Sequence, residues 1–309
     1  MSLAFVFPGQ GAQTIGMGRD LAEAYPVAQE VFDEVDDALG EKLSALIWDG
    51  DIETLTLTQN AQPALMATSL AAVRALEAEG VPMTSAAFVA GHSLGEYSAL
   101  CAAGALDLAD TARLLRLRGQ AMQSAVPVGE GAMAAILGLE IEAVEALAAD
   151  AAQGEVCEVA NENDPAQTVV SGSRAAIDRV VSMAKERGAK RALPLPVSAP
   201  FHCALMKPAA EAMEKALADV DIKAPSVPVV ANVVAEAVSD PDQIRRLLVE
   251  QVAGRVRWRS SVEWMAAQGV DSFWELGAGK ALSGMIRRIA KEAETRAVGT
   301  AADVEAARS

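Results

Sequence analysis

"VAGHSLGEYSAL" runs from Val89 to Leu100, and its reading decides the fold. Within it, Gly91-His92-Ser93-Leu94-Gly95 fits the pattern G-x-S-x-G. In that pattern a strand turns sharply into a helix and leaves the central serine exposed on a strained turn. Glycine on either side removes the Cβ atoms that would collide where two backbones crowd together. The context agrees, because an apolar run ends at Ala90 and a helix-competent run starts at Leu94. The helix start would also place free backbone N–H groups and a positive dipole end beside Ser93. The plain alternative is a serine in a glycine-rich turn with no chemistry. A strand feeding a helix in this way implies an α/β fold with a parallel sheet.

A neutral hydroxyl becomes a nucleophile only with a base in hydrogen-bond reach. The chain has two histidines, His92 and His202. His92 is a poor base for Ser93, because adjacent side chains diverge around a tight turn. Bracing the turn suits it better. If the chain is a serine–histidine enzyme, the base is His202, in "PVSAPFHCALMKP". The competing reading of His202 is a loop histidine satisfied by local bonds.

Working outward, Leu3–Phe7 reads as a first strand ending in the loop "PGQGAQ". "PALMATSLAAVRALEAEG" (63–80) reads as a helix, with proline near its start and glycine just past its end. "AAFVAG" (86–91) is the short buried strand before the elbow. The middle of the chain changes rhythm. Strand 131–138, helix 140–152, strands 156–164 and 166–173, helix 174–188 and strand 189–197 give the order βαββαβ. That is the ferredoxin-like pattern. It predicts a small inserted subdomain at 127–197, with 1–126 and 198–309 forming one discontinuous large α/β domain. Further strands are expected at 227–233 and 270–279, and a frayed Ala-rich tail after Gly299.

Composition narrows the function classes. The chain has 309 residues, 51% of them hydrophobic, and a formal charge of −16. A charge of that sign argues against nucleic acid, whose phosphates need a basic face. No apolar run is long enough to cross a bilayer, and the opening "MSLAFVFPGQG" reads as a strand rather than a signal peptide. Cys101, Cys157 and Cys203 are widely spaced, which argues against a disulfide framework or a zinc site and suits the cytoplasm. No metal is expected.

"TARLLRLRGQAMQSA" (111–125) reads as a helix with Leu114, Leu117, Ala121 and Ala125 on its apolar side. Arg118 does not join the polar residues opposite. At 100° per residue it lies about 40° from Leu114, between it and Met122. A buried guanidinium without an anion costs several kcal/mol. Either an internal Asp or Glu meets Arg118, or a ligand carboxylate does, which guanidinium geometry matches in bidentate fashion. Snorkelling to the helix edge would also relieve it. The loop "FPGQGAQTIGMG" (7–18) lacks the ending of a phosphate-binding loop. It sits where a second oxyanion donor would come from, which makes the backbone N–H of Gln10 a candidate.

Together these pieces resemble the malonyl-CoA:acyl carrier protein transacylases of bacterial fatty acid synthesis. "FVFPGQGAQ", "GHSLGEYSAL", "LRLRGQAM", "ANENDPAQTVVSG", "VSAPFHCALMKPA", the "VRW" after Gln251 and "ELGAGKALSGMIRRI" stand in that family's order over nearly the whole chain. The resemblance implies an α/β-hydrolase-like core with a ferredoxin-like subdomain. It implies Ser93 as the acylated nucleophile, His202 as its base, and the backbone carbonyl of Gln251 as the group orienting that base. Backbone N–H groups of Gln10 and Leu94 would form the oxyanion hole. Arg118 would bind the malonyl carboxylate, with Phe201, Asn161 and Met122 in the substrate-binding site. Malonyl-CoA would be the acyl donor and acyl carrier protein the partner, through its phosphopantetheine thiol, in a ping-pong reaction without a cofactor. A cytoplasmic monomer is expected. The alternatives are a serine hydrolase or thioesterase on the same fold, and a malonyl loader of a polyketide pathway. One departure from the family is Arg255, which stands where relatives often have proline, close to Gln251. Arg187, Lys190 and Arg191, or Arg255, Arg257 and Arg259, are candidate docking patches for an acidic carrier.

Overall fold

The structure is a computed structural model that describes residues 2–197 and 199–308. Met1, Ser198 and Ser309, which bound the expected large-domain segments, lie outside the described residues. The strands are β1 (Leu3–Phe7), β2 (Phe88–Gly91), β3 (Gly131–Leu137), β4 (Cys157–Asp164), β5 (Gln167–Ser173), β6 (Arg191–Pro194), β7 (Val229–Val230), β8 (Ala237–Val238), β9 (Ser272–Leu276) and β10 (Glu294–Val298).

Six of them form one sheet in the order β10-β9-β1-β2-β7-β8. Every pairing in it is parallel except β7 with β8. Strands of a parallel sheet that are buried on both faces are apolar on both, as β1 and β2 are at its centre. In β1, Phe5 and Phe7 pack into one core while Ala4 and Val6 pack into another on the opposite face. The register pairs Phe7 with Gly91, so the loop after β1 and the turn after β2 emerge side by side. That turn requires its glycines. A Cβ on Gly91 would lie 1.9 Å from the carbonyl carbon of Gly95, and one on Gly95 would lie 2.3 Å from the Phe7 carbonyl oxygen.

The other four strands form an antiparallel sheet in the order β4-β5-β3-β6. With helices Ile141–Ala152 and Arg174–Ala184 it has the chain order βαββαβ. Its core is separate and includes Ile136, Val144, Leu147, Val170 and Val180. Val256, in the segment just before helix Trp258–Ala267, is stitched to β4 by a parallel bridge. Val256 N donates to Ala160 O at 2.8 Å, and Glu162 N donates to Val256 O at 2.9 Å.

Four local expectations are corrected. The helix expected from Pro63 begins at Thr58 and carries Pro63 inside it. Its extra first turn is buried, and Thr58 and Gln62 there make side-chain hydrogen bonds that Pro63 does not disturb. The strand expected at 227–233 shrinks to Val229–Val230, because the chain turns back at Ala235, whose φ is 57°. The expected tail is a helix, Ala301–Ala307, started by a capping box between Thr300 and Asp303 and anchored by buried Val304. Finally, the helix at Leu108–Ser124 buries Thr111, Leu115, Arg118 and Met122, while Leu117 is exposed. Arg118 therefore lies in the middle of the buried face. Gly119 beside it lets this helix approach helix Thr58–Ala78, since a Cβ there would lie 2.4 Å from the Gln59 Cα.

Candidate active site

Ser93 ends the β2 turn and precedes the helix Leu94–Ala102 with φ 54° and ψ −111°, a conformation that a non-glycine residue rarely holds. Its backbone is held from both sides. Asn232 Oδ1 accepts from Ser93 N at 2.8 Å, and Asn232 Nδ2 donates to Gly91 O at 2.7 Å. Gln251 Nε2 donates to Ser93 O at 2.9 Å. His92 turns away, placing Nε2 at 2.9 Å from Asn163 Oδ1 on the small sheet and its ring against Trp258.

His202 Nε2 lies 2.7 Å from Ser93 Oγ. His202 Nδ1 lies 2.9 Å from Gln251 O and 3.1 Å from Gly254 O. Carbonyl oxygens only accept, so Nδ1 carries the ring proton and Nε2 presents its lone pair to the serine hydroxyl. Burial, and then the positive charge of Arg118, push this imidazole down to about 3. Arg255 does not disturb the arrangement, since its side chain pairs with Glu145 at 2.7 Å while the carbonyls before it still reach His202.

Arg118 is 1% exposed. It donates from Nη1 to Gln62 Oε1 at 2.8 Å, and from Nη2 to Gln251 Oε1 at 2.9 Å and Ser93 Oγ at 3.2 Å. Its carbon Cζ sits 5.6 Å from the centre of the Tyr97 ring. Its Nε has no partner, and among the described residues no carboxylate forms an ion pair with it. Of the three readings left open above, the internal acid is absent from these contacts, and burial of the side chain rules out snorkelling. Glu96 is the nearby buried carboxylate. It accepts from Asn232 N at 2.9 Å and Gln251 Nε2 at 3.0 Å, and burial raises it to about 7.

A cavity of about 330 Å³ opens over these groups. It is lined by Ser93, His202, Arg118, Gln10, Leu94, Met122, Phe201 and Asn161, and thus by every expected site residue except Gln251. Gln251 is buried beneath, and both its carbonyl and its side chain are used. Among the described residues, no acceptor engages the backbone N–H of Gln10 or Leu94. Leu94 is the first residue of its helix, so its N–H has no acceptor within the helix.

Sequence reasoning missed Gln62, Asn232, Glu96 and the Gln251 side chain. Glu96 had a visible signal, because Ser93-x-x-Glu96 spells a capping box. That pattern predicts a surface cap, whereas Glu96 is buried under the elbow. Asn232 and Gln62 had none, being distant in the chain. Of the candidate docking residues, Arg187 pairs with Asp150 at 2.5 Å, Arg255 with Glu145, and Arg259 with Glu263 at 2.8 Å.

Among the described residues, no group of side chains is arranged to hold a metal ion and no helix is long and apolar enough to cross a membrane. The family model of the acyl transferase domain matches residues 4–307. A malonyl CoA-acyl carrier protein transacylase of Bacillus subtilis (strain 168) is 47% identical over 306 residues, covering 99% of this chain and 96% of that one. One of Escherichia coli (strain K12) is 49% identical over 286 residues, covering 93% and 92%. Among solved structures, an acyl-carrier-protein-S-malonyltransferase from Bartonella henselae superposes with a TM-score of 0.97 at 55% identity, covering 99% of this chain and 98% of that one. A malonyl-transacylase solved in complex with a type II PKS acyl-carrier protein superposes with a TM-score of 0.96 at 43% identity, covering 99% of each chain.

Proposed function

The chain belongs to the acyl transferase domain family, with malonyl CoA-acyl carrier protein transacylases as close relatives, and on that premise we propose that it moves malonyl from coenzyme A to acyl carrier protein through an ester on Ser93. The observation that carries this reading is Arg118, a buried guanidinium with no carboxylate partner among the described residues, 3.2 Å from the nucleophile. A malonyl thioester presents a free carboxylate close to the carbonyl under attack. Bound to Arg118, it brings that carbonyl to Ser93.

In the first half-reaction the Ser93 hydroxyl gives its proton to His202 Nε2 as Oγ bonds to the thioester carbon. The oxyanion is received by the N–H groups of Gln10 and Leu94, donors of a kind typically worth about 3–4 kcal/mol each. The C–S bond then breaks, and coenzyme A leaves as a thiol with the proton from His202. In the second half-reaction the phosphopantetheine thiol gives its proton to the same nitrogen and attacks the ester. Collapse returns that proton to Ser93 and releases the malonyl thioester. The Gln251 and Gly254 carbonyls keep the ring in one tautomer throughout. Every step is supplied by this chain's own groups, so the cycle calls for neither a metal nor a redox cofactor.

Arg118 also ties substrate charge to base strength. Burial, and then the charge of Arg118, hold His202 near 3. A bound carboxylate offsets that charge and makes the imidazole more basic when a proton has to move. An acetyl group leaves the guanidinium unpaired and the base weak, which favours malonyl twice over. Action as a monomer is part of this proposal, and three buried free thiols suit a cytoplasmic enzyme. The test is intact-mass spectrometry after incubation with malonyl-CoA. A single malonyl adduct is expected on the wild type and none on Ser93→Ala. Release of free malonate without transfer to carrier protein would instead indicate a thioesterase.

A further inference from the structure

Gln10 and Arg118 meet opposite ends of the substrate in this reading, yet one unbroken chain of hydrogen bonds joins them. Arg118 Nη1 donates to Gln62 Oε1 at 2.8 Å. Gln62 Nε2 donates to Thr58 Oγ1 at 2.9 Å. Thr58 Oγ1 donates to Gln10 Oε1 at 2.9 Å. The polarity of the chain follows from its first member. A guanidinium only donates, so Gln62 must turn its oxygen toward Arg118 and its nitrogen toward Thr58. The threonine oxygen is then an acceptor on that side, and its single proton is left for Gln10. With the Gln10 amide oxygen facing Thr58, that proton completes the chain.

Thr58 and Gln62 are each 2% exposed, whereas Gln10 sits on an exposed loop. The buried end of the chain is therefore rigid, and the loop end needs an anchor. Thr58 is the first residue of its helix, and its backbone approaches Gly119, next to Arg118, so the two helices are locked at this place.

We propose that Thr58 is a positioning residue: it carries the placement of Arg118 to the loop of Gln10 and sets that loop's backbone N–H at the oxyanion. The proposal rests on the acyl-transfer reading above. In it, the arginine that recognises the malonyl carboxylate and the donor that stabilises the oxyanion share one hydrogen-bonded frame.

The experiment compares steady-state transfer from malonyl-CoA to acyl carrier protein by the wild type, Thr58→Val, Thr58→Ser and Gln10→Ala, with thermal melts of each. Valine keeps the shape of threonine and removes both hydrogen bonds. Its kcat should fall roughly ten- to hundred-fold, the scale of a displaced oxyanion donor. Its KM for malonyl-CoA should stay within about three-fold, because Gln251 still holds Arg118. Serine restores the hydroxyl and should keep kcat within about two-fold of the wild type. Gln10→Ala keeps the backbone donor but removes the anchor, and should match the valine variant. Its exposed position makes it informative even if Thr58→Val does not fold. A Gln10→Ala variant with wild-type kcat overturns the proposal, as does equal loss in Thr58→Ser and Thr58→Val. If the wild type itself transfers no malonyl, the acyl-transfer reading falls. If it does and the variants equal it, only the relay falls.

Discussion

The large parallel sheet meets the cavity with a serine in a strained turn, held by the side chains of Asn232 and Gln251. The small antiparallel sheet meets the same cavity with Met133 and Asn161, side chains that line it without touching Ser93 or His202 in a hydrogen bond. The difference lies in what each sheet can bear. A parallel sheet covered on both faces is stiff enough to hold an unfavourable φ, and the C-terminal ends of its strands bring separate loops together. Ser93, His202 and Gln251 lie far apart in sequence and converge only there. The small sheet has its own core and touches the elbow through His92 and Asn163. It shapes the substrate space and supplies no reacting atom in the proposed cycle.

This contrast can be broken by substitution. The largest effect is expected at Gly91→Ala, because a Cβ would lie 1.9 Å from the Gly95 carbonyl carbon. Neither strand nor helix can yield there, so transfer activity should be lost together with soluble, cooperatively melting protein. A folded, active Gly91→Ala variant would show that the large sheet is less rigid than argued. Arg118→Ala comes next. Malonyl transfer should fall about 10²- to 10³-fold while acetyl transfer holds or rises, measured with the two coenzyme A thioesters side by side. Equal loss of both would assign Arg118 a structural role.

A pH titration of stability probes two buried groups of the large domain, His202 and Glu96. His202 sits near 3 in the folded chain, below the 6.5 of a free imidazole. The unfolded chain therefore binds the proton more readily, and stability present above pH 6.5 drains away as pH falls toward 3. Glu96 has the opposite sign. Its folded value near 7 exceeds the ordinary 4.5, so its contribution is present below that lower value and is lost as pH rises to about 7. The two terms oppose each other between pH 7.5 and pH 5.0, so the readout is a difference: on acidification the urea midpoint of His202→Ala should move further toward higher urea, or fall less, than that of the wild type. An identical shift in the two proteins would mean that His202 does not contribute to the pH dependence. The smallest effect is expected at Asn163→Ala, where the bond across to His92 is worth about 1 kcal/mol. A drop in melting temperature of roughly 2–4 °C, with transfer changed by less than about three-fold, is the expected result. A loss as large as that of Arg118→Ala would mean that the small sheet helps to set the elbow.

Much of this was legible in the chain itself, where the information is local. The elbow follows from Gly91, Ser93 and Gly95, and the βαββαβ order of the small sheet follows from its alternating patterns. The helical face of Arg118 was less legible. Period alone places Leu117 on the apolar side, yet Leu117 is exposed and the buried face centres on Leu115, Arg118 and Met122. The neighbouring helix decides that face, because Gly119 packs against Gln59. The tail after Gly299 failed for a related reason. Its alanines read as unanchored until Val304 is seen in the core.

Sequence by itself determined the strand–turn–helix, the unusual charge at Arg118 and the histidine left as the only candidate base, since each is a statement about steric room, helical period or residue count. Tertiary structure alone decided that no carboxylate among the described residues pairs with Arg118, that Asn232 and Gln251 hold the elbow, and that Thr58 and Gln62 link the arginine to the loop of Gln10. Hydrogen bonds act over about 3 Å, and nothing local in a chain says which distant donor and acceptor will come that close.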